Sequence, residues 1–251
     1  MANNDVEKRR GFLKQVVSAT SAIPLVPSLA GGAAATAAFG ANAAAAAAAP
    51  AANPVNQVVG YICFSQDEAA FVETLVNIMC PADQYTPNGV DCGLAIYIDR
   101  QLAGEFGKGA KRYKQGPWMV GKPQQGPQLP LSPEQFFKAG IESINAACGA
   151  RFGKPFDQLA AADANTVLNE LSSGKLVDPG LPLLSWFNEL MYPLFNQACF
   201  ADPIYGGNYD KVFWKMIGYP GLPSTHTINM VQYRGKPFPG AKDPKSIADF
   251  S

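Results

Sequence analysis

Beyond about Pro54, apolar residues recur at helical spacing, and each run is bounded by residues that start or stop helices. Ser65-Gln66-Asp67-Glu68 opens the first. Ser65 is placed to cap, Glu68 to complete a capping box, and Phe71, Leu75, Ile78 and Met79 form a stripe that Pro81 ends. A second helix is predicted from about Asp91 to Glu105, with Leu94, Ile98 and Leu102 on one face. Ser132-Pro133-Glu134-Gln135 starts the third, with proline at the first helical position and Gln135 at the capping-box site. Its stripe is Phe136, Phe137, Ile141, Ile144 and Ala147 or Cys148. Phe156-Asp157-Gln158-Leu159 leads into a helix capped by Asp163, with Val167, Leu168 and Leu171 apolar and Gly174 as the stop.

The stretch from Leu183 to about Cys199 is apolar nearly all round, through Trp186, Phe187, Leu190, Met191, Leu194 and Phe195. That pattern predicts the centre of the core, with a kink at Pro193. A last short helix is expected from Asp210 to Ile217, stopping at Gly218. Only short strands, at 57–63 and 229–234, are expected. The class is therefore mainly α: an irregular helical bundle with long Gly/Pro-rich loops and an extended C-terminal tail.

Residues 107–131 break the pattern. Glycine and proline recur, as in Gly116-Pro117-Trp118 and Gly121-Lys122-Pro123-Gln124-Gln125-Gly126-Pro127. So long an aperiodic connection is functional or disordered. Tyr113 and Trp118 favour a loop lying on something; a flexible excursion is the other reading.

The first fifty residues differ in kind. Lys8-Arg9-Arg10-Gly11-Phe12-Leu13-Lys14 resembles a twin-arginine export signal, read from Arg9, Arg10, Phe12 and Leu13, with Lys8 where Ser or Thr is usual. A weakly apolar, alanine-dominated region follows, and Ala41-Asn42-Ala43 offers an A-x-A cleavage site. An uncleaved anchor or an Ala-rich leader is the alternative. The expected organisation is a twin-arginine signal peptide over 1–43, an Ala-rich linker and extended lead-in over 44–64, and a single helical domain over 65–251.

Charge excludes one class of partner. The chain carries 20 Lys+Arg and 20 Asp+Glu; four of the former and two of the latter precede Ala44. The remainder is near −2 with no basic patch, which argues against nucleic acid. Passengers of the twin-arginine route are folded before export and tend to acquire a cofactor or partner first, as that resemblance implies. Yet the sequence offers no C-x-x-C-H for haem, no G-x-G-x-x-G after a strand and no G-x-S-x-G. Cys63, Cys80, Cys92, Cys148 and Cys199 show no metal-ligand spacing. His226 is the one histidine, in a Pro- and Thr-rich segment. Asp67, Glu68, Glu73, Asp83, Asp99, Asp157, Asp163, Glu170 and Glu189 read as capping or solvated charges. No catalytic, cofactor-binding or metal-binding residue is assigned.

Asp202-Pro203-Ile204-Tyr205-Gly206-Gly207-Asn208, followed by Trp214-Lys215-Met216-Ile217-Gly218-Tyr219-Pro220-Gly221, resembles the gluconate 2-dehydrogenase small-subunit family, the gamma or "subunit 3" chains. Gly116-Pro117-Trp118, Gln125-Gly126, Leu129-Pro130-Leu131-Ser132-Pro133, Pro81-Ala82-Asp83 and Ile98-Asp99-Arg100-Gln101-Leu102 are similar to it as well. The resemblance spans about residues 65 to 235. It implies a periplasmic complex peripheral to the inner membrane. A large GMC-type FAD subunit would oxidise D-gluconate to 2-keto-D-gluconate, and a multihaem cytochrome c subunit would pass electrons to quinone. The small subunit, without a cofactor of its own, would carry the export signal through the twin-arginine (Tat) translocase and bring the flavoprotein with it. Related complexes act on 2-keto-gluconate or other polyols.

Within the motif, Gly206-Gly207 permits positive φ and close approach, Asn208 favours a turn, and Trp214 and Tyr219 suit a core or an interface. Two readings are open for this segment: a buried structural corner, or direct contact with the flavin subunit. Candidate interface residues are Trp118, Tyr205, Gly206, Gly207, Asn208, Trp214 and Tyr219. Export to an oxidising compartment makes a Cys80–Cys92 disulfide the first expectation, since the two flank one tight loop; buried thiols are the alternative. The rival functions are a stand-alone periplasmic enzyme using scattered acids and His226, and a periplasmic binding or structural domain without a redox partner.

Overall fold

Ser65 and Ser132 each begin a helix by the reciprocal bonding their sequences call for. In the computed structural model, which describes residues 60–119, 121, 122, 125–223 and 225–250, Ser65 Oγ accepts from Glu68 N while Glu68 Oε2 accepts from Ser65 N. Ser132 and Gln135 repeat the arrangement. These boxes open α1 (Gln66–Met79) and α3 (Pro133–Phe152). The export-signal residues Arg9, Arg10, Phe12 and Leu13 and the linker up to residue 59 lie outside the described residues.

Seven helices are found among the described residues, and no strand. The second, α2 (Leu94–Ala103), starts later than expected because residues 90–93 form a turn that ends on Gly93 at φ +78. The fourth, α4 (Ala161–Ser172), has Ala160 at its cap. Asp163 lies inside its first turn, where it faces the positive end of the helix dipole without capping.

The fifth helix, α5, is built from Leu183–Ser185, a π turn over Trp186–Met191, and Tyr192–Phe200. Where the sequence predicted a kink, the helix takes in an extra residue. Pro193 has no N–H to give and its ring would press on the carbonyl four residues back. Tyr192 N accordingly bonds Phe187 O, five residues back, and the widened turn absorbs the proline.

As its composition required, α5 sits at the centre, packed on α2, α3 and α4. Trp186 is fully buried and its indole N–H donates to Phe137 O at 3.0 Å. Gly140 makes room for that ring: a Cβ there would stand 2.1 Å from Trp186 Nε1. A run of rings, Tyr61 to Phe64, Phe64 to Phe137 and Phe137 to Trp186, continues at centroid spacings of 5.9, 5.7 and 5.3 Å.

The expected strand at 57–63 is not found in its described part. Ile62, Cys63 and Phe64 instead give their three N–H groups to the carboxylate of Asp99 at 2.7, 2.9 and 2.9 Å. Asp99 is 1% exposed. A buried carboxylate is tolerated because its lone pairs are met. The strand expected at 229–234 is a helix, α7 (Thr227–Gln232), with Met230 N bonded to His226 O. Ile228, Met230 and Val231 are all exposed, so no half-buried strand face exists for them.

The remaining helix, α6 (Val212–Ile217), packs on α5. The tail beyond it folds back in short turns at Pro239–Lys242 and Ile247–Phe250. Leu222 N bonds Lys245 O and Lys245 N bonds Pro220 O, which returns the tail to the end of α6. No described helix is long and apolar enough to cross a membrane.

Candidate functional site

The segment between α5 and α6 is a corner built from tight backbone contacts. Asp202 starts it: Oδ1 accepts from Ile204 N and caps the short turn Pro203–Tyr205, while Oδ2 accepts from Ile247 N in the returning tail. Aspartate before proline at a turn start is a capping signal in the sequence; its second bond, 45 residues away, has none.

Gly206 follows at φ +99, and a Cβ there would press on Arg100 Nη1 at 2.7 Å. A Cβ on Gly207 would stand 2.4 Å from Ala198 O. Both positions need the missing side chain. Asn208 is fully buried at φ +50. Its Nδ2 donates to Ala201 O at 3.2 Å, and its Oδ1 accepts from Phe213 N at 3.0 Å. One amide thus ties the end of α5 to the first turn of α6. Asp210 and Lys211 also hold positive φ, so helical geometry begins only at Val212, two residues later than predicted. Tyr209 N donates to Cys92 O, and burial raises the Tyr209 phenol above its ordinary value.

Trp214 is buried, gives its indole N–H to Phe200 O at 2.8 Å, and meets the ring of Tyr219 edge-on at 5.1 Å. Lys211 pairs with Asp249 in the tail, and that bond, with Ser246 N and Oγ, holds the Asp249 carboxyl down at about 2.

The candidate interface residues therefore divide. Gly206, Gly207, Asn208 and Trp214 are buried and serve the corner itself. Tyr205 is 51% exposed, Tyr219 38% and Trp118 39%. Phe200, which sequence reasoning passed over, is also exposed on the corner, packed edge-on to Phe213 at 6.0 Å. These rings are the side chains free to meet another surface.

Trp118 is brought to a different place. It rims a groove of about 700 Å³ lined also by Lys108, Arg112, Lys114, Leu131 and Glu189. The long loop is tied down at both ends, since Glu134 N bonds Gly107 O and Leu129 and Leu131 pack against the core. Between those ends residues 110–119 are exposed, Tyr113 among them.

The remaining candidates among the described residues sit in separate local contacts. His226 Nε2 faces Gly221 O at 3.4 Å, Nδ1 faces Asn229 Nδ2 at 3.3 Å, and the ring lies on Phe238. Asp99 is spent on backbone, and Arg151 takes Glu170. Among the described residues no group of three or more His, Cys, Asp or Glu could hold a metal ion. All five cysteines are thiols. Cys80 and Cys92, the pair expected to bridge, point their sulfurs at the same carbonyl, Pro87 O, from 3.9 and 3.5 Å.

No curated protein and no solved structure matches the chain. A family model described as gluconate 2-dehydrogenase subunit 3 matches residues 66–221, from the first residue of α1 through the corner and α6. The chain belongs to the gluconate 2-dehydrogenase subunit 3 family.

Proposed function

We propose that this chain is the non-catalytic small subunit of a periplasmic, membrane-associated gluconate 2-dehydrogenase complex, and that it escorts a flavoprotein subunit through folding, assembly and twin-arginine export. The family match over 66–221 carries the reading. FAD and haem c would reside in the partner subunits: a GMC-type dehydrogenase oxidising D-gluconate at carbon 2, and a multihaem cytochrome c. This chain's own share is shape. Buried Asn208 and the glycines beside it hold a rigid corner, and that corner presents Tyr205, Tyr219 and Phe200 outward. Rigid aromatic side chains lose little entropy on docking and bury large area, so they suit an interface between subunits.

Two variants test it. Tyr205→Ala in the tagged full chain weakens recovery of the flavoprotein by roughly tenfold while leaving the isolated chain's stability within about 0.5 kcal/mol. Arg9→Lys with Arg10→Lys leaves both this chain and the flavoprotein in the cytoplasm. Normal periplasmic delivery of the flavoprotein beside that double variant would refute the escort role.

A further inference from the structure

We propose that Cys80 and Cys92 form a redox pair that closes to a disulfide by exchange with an external disulfide, stapling the end of α1 to the start of α2. The loop between them is already folded for it. Gly89 N bonds Cys80 O, and Cys92 N bonds Asn88 O. Asp83 Oδ1 accepts from Tyr85 N and Thr86 N, and Asn88 Oδ1 accepts from Asp91 N. These bonds fix the loop so that both sulfurs converge on Pro87 O, from 3.9 and 3.5 Å. Closing a loop whose ends already meet costs little further chain entropy.

The two sulfurs are unequal, and their inequality sets the order of events. Cys80 is 9% exposed, at the edge of the core beside the exposed residues 81–85. Its thiol is brought down to about 7, first by the Cys92 thiol beside it, against burial, and then by Thr86. Cys92 is 1% exposed, and its thiol is driven upward by the neighbouring Cys80 sulfur and by burial. Cys80 is thus the attacking thiolate and Cys92 the resolving thiol. Cys80 Sγ attacks one sulfur of an external disulfide and forms a mixed disulfide, releasing the first thiol. Cys92 loses its proton and attacks Cys80 Sγ, releasing the second. Two cysteine thiols are oxidised and one external disulfide is reduced to two thiols.

A third sulfur lies close by. Cys199 on α5 is near enough to feel the charge of Cys80 and to raise the thiol of Cys92 by its own. Burial pushes its thiol up to about 12, so it is a poor nucleophile and stays out of the exchange. The staple also bears on the corner, because Cys92 O is the acceptor for Tyr209 N.

The test uses the purified full chain, reduced and then equilibrated with glutathione disulfide, alkylated after denaturation without reduction, digested and mapped by mass spectrometry. The expected map has one cross-link, Cys80 to Cys92, with Cys63, Cys148 and Cys199 alkylated. In Cys92→Ser, glutathione stays trapped on Cys80; in Cys80→Ser, Cys92 takes none. In the reduced native chain, Cys80 reacts with iodoacetamide at least about tenfold faster than Cys92 or Cys199. A cross-link that includes Cys199, glutathione on Cys92 of the Cys80→Ser chain, or five alkylated thiols after equilibration would overturn the proposal. Should either serine variant fail to fold, the wild-type map and native alkylation rates decide.

Discussion

Asn208→Ala separates a corner that the chain needs for itself from a surface that a partner needs. The side chain is fully buried, so nothing outside the chain can touch it. Truncation strips Phe213 N–H of its acceptor and Ala201 O of its donor, from bonds of 3.0 and 3.2 Å. A buried group left unpaired costs about 1–3 kcal/mol, and the carbonyl less than the N–H. Alanine must also hold φ +50, a left-handed conformation that asparagine tolerates and that costs alanine about 1 kcal/mol. The expected loss is about 3 kcal/mol. At roughly 2–4 °C per kcal/mol for a domain of this size, the melting midpoint falls by about 9 °C. Asn208→Gly loses the same two bonds but keeps the backbone at ease, so it is less harmful than alanine by about 1 kcal/mol. Urea unfolding of the isolated chain, followed by circular dichroism, reads both. If Asn208→Ala unfolds within about 0.5 kcal/mol of wild type, or if glycine is the worse of the two, the corner is not held as described.

Gly140→Ala drives a methyl into the Trp186 indole and displaces its bond to Phe137 O; a loss of about 2–3 kcal/mol by urea unfolding is expected, with tryptophan emission shifted to longer wavelength. Asp99→Ala orphans three N–H groups at once and should cost about 3 kcal/mol or more, with faster amide exchange at Ile62, Cys63 and Phe64. Asp249 carries its folded-state carboxyl at about 2, below its unfolded value of about 4. Its contribution is therefore whole above about pH 4 and drains away as pH falls towards 2. Asp249→Asn should therefore lower the plateau above about pH 4 and flatten the acid limb below it, with the two proteins converging near pH 2.

Much of the fold was legible because its signals are local. Both capping boxes sit within four residues, and the all-round apolar run of α5 announces burial. What was missed depends on distance. The strand expected at 229–234 is a helix, and nothing in the segment records that no neighbour covers Ile228, Met230 or Val231. The strand expected at 57–63 gives way to bonds from Ile62, Cys63 and Phe64 to Asp99, a partner 35–37 residues away that no local pattern announces. Asp163 falls three residues beyond the true cap, since aspartate suits both a cap and a first turn. In the corner, Gly206-Gly207-Asn208 signalled a tight turn. Which of its neighbours face outward follows only from how α5 and α6 cross, so Tyr205 and Tyr219 stood beside buried Trp214 as equal candidates.

The central claim is that this chain works by holding another polypeptide. Tagging the full-length protein in its own host, isolating it from the periplasmic and membrane fractions, and recording subunits, visible spectrum and gluconate oxidation together tests it directly. The account predicts recovery of a flavoprotein and a cytochrome c with gluconate oxidation, and no flavin absorbance or turnover once this chain is separated from them. Dehydrogenase turnover by the separated polypeptide would contradict it.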